Sequence, residues 1–488
     1  MAKSKRSPRR PQPRHKTRRQ PSRHDRRKRL YQRKPERKKT ERARFPLVGL
    51  FASLVAILQS AMDCRIAFRL PILVAGMLFA EGRRTVASWF AAAGVRDDWD
   101  QFYDCLISIG RQPTKMAAAL LEIVSKKFAP GAEGRIVVAI DDTPTKRSGP
   151  RVEGAGVHHH PTPGPADGQW LYGHVWVALA WLCEHPLWGT IAMPLRSLLY
   201  VREVDVPKLA DARGGWEFKT KHQLAAELMA WFVNTLRSLG VNSVIWAVVD
   251  GAYAARPFLT PVGKLGVVVV SRLRKDARLW NLPPKRDKRQ RGRPPVYGPD
   301  RISLAKRAGQ LRGWQWITYR SRGVNITCEY KTFEATSRLV GGVIRVVLLR
   351  DEDRWVAYFC TNPKAEVREI LEAVASRWAI EEHFHDIKEV WGAGEQQVRN
   401  VWSNIACWNL NQWISTLVEW CAWDQPQVTL SDRSERSWDN PNRRPSHADR
   451  RRWIAHQCLE NELSSVLGDP PDSTKFRALA ESLFRICL

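Results

Sequence analysis

The sequence predicts a mixed α/β protein in which a helical N-terminal region precedes a sheet that is interrupted by a further set of strands. Helical spacing of apolar residues dominates positions 46–130, whereas short apolar runs bounded by turns begin at residue 135. After a basic, proline-rich break at 274–298, four more strand-like runs appear before helical spacing resumes at 365. This order of elements is typical of a mixed sheet with helices packed on it.

The charge of the chain indicates a polyanionic partner. The 488 residues carry a formal net charge of +30, and the first 45 contain 21 Lys and Arg residues against three acidic ones. Such a segment cannot bury enough apolar surface to fold alone, so we expect a disordered basic tail over 1–45. The remainder is also basic, and because Lys and Arg bind phosphates with release of counterions, a polyanion such as a nucleic acid is the expected partner.

Cysteine usage and hydropathy favour a cytoplasmic protein. The nine cysteines are scattered without a Cys-x2-Cys pair, which indicates neither a zinc site nor a disulfide framework. The stretch Phe45–Met62 has about the length of a membrane span, but Ser53 and Gln59 interrupt it and Asp63 follows directly. We therefore expect a buried core helix there and no membrane association.

The helical region 46–130 contains a candidate DNA-binding unit. Within Leu70–Val95, an apolar helix is followed by a break at Glu81-Gly82 and by a second helix that starts near Arg83 and Arg84. This pattern suits a helix-turn-helix whose second helix lies in the major groove. Any helical hairpin with a glycine turn has the same pattern, so both interpretations stay open.

The rest of the chain divides by pattern into four parts. The first part of the sheet core covers 131–271, a β-rich insertion with a basic loop covers 272–364, two helices that complete the core cover 365–424, and a C-terminal extension with a final short helix covers 425–488. Core strands are predicted at 135–141, 174–183, 188–195, 241–253 and 264–274, with a helix at 218–238.

Acidic residues follow two of the buried strands. Asp141 and Asp142 come after "VVAI", and Asp250 comes after "WAVV". Ligands of open α/β sheets bind at the carboxyl ends of the strands, so these carboxylates are candidates for a functional site. The alternative is that each caps a following helix, where Asp is favoured.

A third candidate lies in the helical stretch "ASRWAIEEHFHDIKE", residues 375–389. At 100° per residue, Arg377, Glu381, His385 and Lys388 share a stripe about 80° wide, whereas Glu382 lies about 100° from Glu381. One carboxylate between cations suits a site that binds a metal and phosphates. Ordinary i,i+4 pairing of Arg377 with Glu381 explains the spacing equally well.

This helix resembles the glutamate helix of the DDE transposases, specifically the IS-four-type group of bacterial insertion sequences. That group carries a Tyr-x2-Arg-x3-Glu-x6-Lys signature, and the chain has Val374-x2-Arg377-x3-Glu381-x6-Lys388. Three of the four positions match at the right spacing. Val374 replaces the tyrosine, so a DNA contact made by that tyrosine is not expected here.

The two aspartate motifs of the group are also matched. Its first catalytic aspartate sits in an acid-Asp-Thr triplet, which corresponds to Asp141-Asp142-Thr143, with Asp142 in the catalytic position. The second sits in an Asp-x2-Phe/Tyr motif, which corresponds to Asp250 through Tyr253. The long separation between Asp250 and the glutamate helix suits the β insertion that this group places there.

The resemblance implies an RNase H-like core whose catalytic and metal-binding residues are Asp142, Asp250 and Glu381, holding two Mg²⁺ or Mn²⁺ ions. Supporting residues would be Asp141, Thr143, Tyr253 and His385. DNA-contacting residues would be Arg377, Lys388, Arg83, Arg84, Arg291 and Arg293 in the loop motif "RGRPP", and Trp355, which would stack on a flipped base.

The function implied is that of a transposase, which cleaves DNA at transposon ends and transfers the strands into target DNA by way of a hairpin intermediate. A homodimer in the synaptic complex and a nucleoid-associated location in the bacterial cytoplasm are expected with it. Two alternatives stay open: a metal-dependent nuclease without strand transfer, and a nonenzymatic nucleic-acid-binding protein.

Overall fold

Helices fill the N-terminal region, as the spacing predicts. The computed structural model describes residues 43–131, 134–160, 168–209, 215–284, 292–351, 354–433, 438–440 and 442–467, so nearly all of the predicted tail 1–45 lies outside the described residues. From Ala43 onward the chain forms one unit. The helices before the first strand are α1 (Gly49–Ser60), α2 (Cys64–Ala67), α3 (Arg69–Phe79), α4 (Val86–Ala93), α5 (Trp99–Arg111) and α6 (Pro113–Phe128).

These helices pack directly on the rest of the protein. The predicted apolar helix at 45–62 is α1, which buries one face through Phe51, Leu54, Val55 and Leu58. Helix α5 lies so close to a later helix that a Cβ on Gly110 would stand 1.8 Å from the carbonyl oxygen of Trp402. Among the described residues, no helix is long and apolar enough to cross a membrane.

The sheet core is built from six strands and two helices. They are β1 (Arg135–Lys146), β2 (Gly156–His159), β3 (Trp170–His185), β4 (Gly189–Tyr200), α7 (Lys221–Ser238), β5 (Val244–Val249), α8 (Arg256–Lys264) and β6 (Val268–Leu273). The strand order is β4-β3-β1-β5-β6. Strand β3 is antiparallel to β1, whereas β5 and β6 are both parallel to β1, which is the arrangement expected of an RNase H-like core. The predicted fold class is therefore confirmed.

The predicted insertion extends the same sheet. It comprises β7 (Leu279–Trp280), β8 (Arg301–Ile302), α9 (Leu304–Gly309), β9 (Gln315–Ser321), β10 (Val324–Ser337), β11 (Gly342–Asp351) and β12 (Arg354–Cys360). Strand β12 pairs antiparallel with β6, and β11 and β10 follow outward. The insertion therefore continues the core sheet through backbone hydrogen bonds.

The helices that follow the insertion include two that pack on the core sheet and a last long one in the C-terminal part. After α10 (Val367–Ser376) come α11 (Trp378–Trp391), α12 (Val401–Ala422), α13 (Gln427–Leu430) and α14 (His447–Leu467). The final helix is 21 residues long rather than short. Its first turns are tied to α12 because His447 and Arg450 both bind the buried carboxylate of Glu419, each at 2.5 Å.

Candidate active site

A cleft of about 1050 Å³ opens along the second half of β1, where its pairing with β5 ends, and beside the carboxyl end of β5. Helix α11 forms one of its walls. The ionisable side chains that line it are Asp141, Asp142, Asp250, Glu381, Glu389, Glu395, Arg83, Lys146, Arg377, Lys388, His160 and His385. The structure thus brings all three predicted catalytic carboxylates to one cleft, together with both cations of the glutamate helix.

Asp141 and Asp250 occupy equivalent positions on neighbouring parallel strands. The last paired residues of β1 and β5 are Ile140 and Val249, and the two aspartates come next. Residues in register on parallel strands point to the same face of the sheet. On that face Val248 belongs to the same apolar cluster as residues of helix α10, which leads directly into α11. Asp141 and Asp250 therefore face the glutamate helix.

Asp142 faces the opposite side, because successive side chains of a strand alternate. Its Oδ1 accepts a 2.7 Å hydrogen bond from the Tyr253 hydroxyl, and its Oδ2 lies 2.6 Å from the Lys221 Nζ at the start of α7. Asp142 is thus occupied by partners that lie away from α11. The sequence motif favours Asp142 as the first catalytic aspartate, whereas the strand geometry favours Asp141.

Arg377 bridges two of the carboxylates that line the cleft. Its Nη1 lies 2.8 Å from the Asp141 Oδ2 and its Nη2 lies 2.5 Å from the Glu381 Oε1. The i,i+4 pairing weighed from the sequence is therefore present. Because the same guanidinium also reaches β1, it links the glutamate helix to the end of the central strand.

The remaining stripe residues of α11 also line the cleft. The Lys388 Nζ donates a 2.7 Å hydrogen bond to the Thr143 hydroxyl, two residues beyond Asp141 on the same side of β1. The His385 side chain is 74% exposed at the opening. In contrast, Glu382 lies outside the cleft, where its Oε2 is 2.8 Å from the Arg444 Nη2.

Burial sets the protonation behaviour of three groups at this site. It raises the pKa of Asp141 to about 7, against the opposing effect of the Arg377 cation. It lowers the pKa of Lys388 to about 8 and raises the pKa of Tyr253 well above its usual range. Desolvation disfavours the charged form of each group. A cation that entered the cleft would therefore favour the ionised form of Asp141.

The donor chemistry of the cleft fits a hard divalent cation, since carboxylate oxygens are the ligands that Mg²⁺ and Mn²⁺ prefer. The spacing does not yet fit. Among the described residues, no three His, Cys, Asp or Glu side chains are placed to hold one ion. Arg377 binds Asp141 and Glu381 directly, and its guanidinium would have to move before both carboxylates could hold a metal.

Other predicted residues fall in different places. Arg83 and Arg84 precede α4 rather than lying on it; Arg83 lines the cleft, and the Arg84 backbone N–H donates to the Glu395 Oε2 at 2.7 Å. Helix α4 buries Val86, Trp89, Phe90 and Ala93, so its apolar face packs inward. DNA contact by the two arginines stays a prediction, and such contact would occur at the rim of the cleft rather than on a face of helix α4.

The insertion places its predicted residues away from the cleft lining. Trp355 is partly buried on β12 with the Lys275 Nζ 5.1 Å from its ring centroid, and it does not line the cleft. Arg293 is exposed, and Arg291 lies outside the described residues. Of three consecutive histidines, His158 and His159 belong to β2 and His160 lines the cleft.

Sequence reasoning missed two contributors, Lys221 and Arg147, and gave Asp141 only a supporting role. Lys221 is 79 positions from Asp142, and nothing in its local sequence marks the contact. Arg147 is similarly remote in sequence from the residues that it contacts. The importance of Asp141 did have a signal, because it is the first acid after "VVAI" just as Asp250 is the first acid after "WAVV".

A carboxylate-lined cleft with flanking cations, at the strand ends of an RNase H-like sheet, is the arrangement of enzymes that act on phosphodiester bonds with divalent metals. A family model described as DDE superfamily endonuclease matches residues 60–324, which is more than half of the chain. The chain therefore belongs to this family, whose substrate is DNA. The match includes both aspartate motifs and ends before α11. No curated protein matches the chain.

Proposed function

We propose that the protein is a DDE-type transposase, which cleaves DNA at transposon ends and joins the freed ends to target DNA. The observation that carries the proposal is the meeting of Asp141, Asp250 and Glu381 at one cleft with the cations Arg377 and Lys388. The spacing of Arg377, Glu381 and Lys388, which resembles that of the IS-four-type group, supports the same assignment.

Asp141, Asp250 and Glu381 would hold the metal ions, two Mg²⁺ or Mn²⁺ in the proposal. Bound there, such ions activate an attacking oxygen and stabilise a leaving one. Asp141 replaces Asp142 in this set because it shares a face with Asp250 and the glutamate helix. Asp142 takes a positioning role, in which its bonds to Tyr253 and Lys221 fix the end of β1 against α7.

The cations of the cleft would bind the DNA backbone. Phosphoryl transfer requires positioning and charge stabilisation more than covalent chemistry from the protein. Lys388, held by the Thr143 hydroxyl, presents its ammonium group to a phosphate near the scissile bond. The planar guanidinium of Arg377 now binds Asp141 and Glu381, and it would be free to contact a second phosphate if those carboxylates held a metal instead.

Two phosphodiester exchanges then follow at the same residues. In the first, a water oxygen attacks phosphorus at the element end, and the 3′ oxygen leaves and takes up a proton. In the second, that 3′-hydroxyl attacks phosphorus in a phosphodiester of the target or of the opposite strand and loses its proton as the new P–O bond forms. The bond from that phosphorus to its own 3′ oxygen breaks, and the displaced 3′ oxygen takes up a proton. Attack on the opposite strand gives a hairpin, for which Trp355 is the proposed base-stacking residue.

A plasmid assay tests the enzymatic proposal. The wild-type protein with Mg²⁺ is expected to nick supercoiled plasmid, and Asp250→Ala is expected to leave the plasmid intact. Absence of nicking by the wild type, or full nicking by Asp250→Ala, would contradict the assignment and favour a nonenzymatic DNA-binding protein.

A second assay separates transposase from nuclease. A pre-cut DNA end with a free 3′-hydroxyl is incubated with a target plasmid, and joined products are measured. Joining is the expected result. Cleavage without any joined product would leave the protein a metal-dependent endonuclease without strand transfer.

A further inference from the structure

A second basic cavity of about 660 Å³ adjoins the catalytic cleft. Its walls are the segment that follows β1, residues 146–152, and the segment between α11 and α12, residues 394–399. Arg83, Lys146, Gly394 and Glu395 line both this cavity and the catalytic cleft, so the two are continuous. We call the second cavity the basic channel.

A partly buried arginine, Arg147, holds the two walls of the basic channel together. The Arg147 Nη1 donates to the carbonyl oxygens of Gly394 and Gln396, each at 2.7 Å, and its Nε donates to the His174 Nδ1 at 3.1 Å. Burial lowers the pKa of Arg147 to about 10. Because these three hydrogen bonds hold Arg147 between the two walls, the channel is a fixed part of the fold.

Further bonds join the same walls at the far end. The Glu153 backbone N–H donates to the Arg399 carbonyl at 2.9 Å, and the Glu153 Oε2 accepts from the Val401 N–H, also at 2.9 Å. The walls are therefore held at both ends without use of the exposed cations. Arg151 and Arg399 are exposed and form no ion pair with any residue that the structure describes.

The charged side chains of the basic channel that are exposed rather than partly buried are positive. Its exposed cations are Arg83, Lys146, Arg151 and Arg399. The acidic side chain in the lining, Glu395, is engaged through its Oε2 with the Arg84 backbone N–H at 2.7 Å. A row of cations that begins at the carboxylates and leads away from them is complementary to a chain of phosphates.

We propose that the basic channel binds the backbone of the DNA strand that continues from the scissile phosphate, with Arg151 and Arg399 as phosphate contacts remote from the metal-binding carboxylates. This inference rests on the proposed function, because it takes the catalytic cleft as the place of the scissile phosphate. It adds a DNA-binding surface and a direction in which the substrate leaves the cleft.

The test is the salt dependence of DNA binding by the full chain. Binding of a fluorescent duplex oligonucleotide is measured by anisotropy without divalent metal, over a range of salt concentrations. Each phosphate contact adds about 0.9 to the slope of log affinity against log salt. The double variant Arg151→Gln/Arg399→Gln is expected to lower that slope by about 1.8 and to weaken binding roughly 10- to 30-fold near 0.15 M salt.

The matched control is Lys115→Gln/Lys264→Gln, which removes two exposed cations that line neither cavity. Its slope is expected to equal that of the wild type. Arg151→Lys/Arg399→Lys is expected to restore most of the lost slope, because lysine binds phosphate as a point charge. An unchanged slope in the glutamine variant, or an equal loss in the control, would overturn the proposal.

Plasmid nicking in Mg²⁺ distinguishes this failure from failure of the proposed function. If the wild type nicks DNA and the channel variant keeps the wild-type slope, only the basic channel assignment fails. If the slope of the channel variant falls as expected but neither the wild type nor any variant nicks DNA, the channel binds DNA and the enzymatic assignment fails. Equal melting temperatures of the four proteins establish that the substitutions leave the fold intact.

Discussion

Replacing Asp141 by asparagine should stabilise the folded protein at pH 8, even though we place this residue among the metal ligands. The Asp141 side chain is 18% exposed, and burial raises its pKa from 3.8 to about 7. A shift of that size corresponds to roughly 4 kcal/mol, because 1.36 kcal/mol accompanies each pH unit. The asparagine keeps an acceptor for Arg377 without an ionised group to desolvate.

The direction of the pH dependence follows from proton linkage. Between about pH 4 and pH 7 the folded protein holds a proton on Asp141 that the unfolded chain has released, so stability falls as pH rises through this window. Above pH 7 Asp141 is ionised in both the folded and the unfolded protein, and the full cost of burying its charge lowers the stability of the folded state. The variant lacks this titration and should match the wild type near pH 4.

Differential scanning calorimetry without divalent metal, at several values between pH 4 and pH 8, measures the difference. For a chain of this length roughly 4 kcal/mol corresponds to a rise of about 4 °C in melting temperature at pH 8. The control, Asp142→Asn, should instead lower the melting temperature, because the Lys221 ammonium loses its carboxylate partner. If Asp141→Asn melts at or below the wild-type temperature at pH 8, burial does not dominate at this carboxylate and the reasoning is refuted.

Three further predictions concern neighbouring features. Glu381→Gln should abolish plasmid nicking whereas Glu382→Gln should spare it, because only the first carboxylate lines the cleft; the reverse order would show that the helix register is misassigned. Gly110→Ala should lower the free energy of unfolding in urea by roughly 1–3 kcal/mol, since its Cβ would stand 1.8 Å from a carbonyl oxygen of α12. The control is Gly263→Ala, whose Cβ would meet nothing within 4 Å and which should not lower that free energy. DNA affinity should fall as pH rises through about 8, because burial lowers the pKa of Lys388 to about 8 and the side chain then loses its positive charge. The fall should be smaller in Lys388→Gln.

Much of the fold was accessible from the sequence because its signals are local. Apolar runs marked the core strands, and the four runs of the insertion became β9 to β12. The 3.6-residue period separated Glu381 from Glu382, and the structure places them in the cleft and beside Arg444 respectively. Periodicity within one helix needs no knowledge of its partners.

Contacts between distant segments were not accessible in the same way. The choice between Asp141 and Asp142 depends on the register of β1 with β5, which one strand alone does not reveal. Continuity of the insertion with the core depends on the pairing of β12 with β6. The start of α14 depends on the contacts of His447 and Arg450 with the buried Glu419 of α12, which join residues on either side of a Pro- and Arg-rich segment that has no periodic pattern.

The most direct test of the account is a comparison of Mg²⁺-dependent plasmid nicking by Asp141→Asn and Asp142→Asn at pH 8. The register of the parallel strands predicts that Asp141→Asn abolishes nicking while its folded state is intact, and that Asp142→Asn retains measurable nicking with weakened stability. Loss of nicking in Asp142→Asn together with near wild-type nicking in Asp141→Asn would contradict the proposed metal-binding set of Asp141, Asp250 and Glu381.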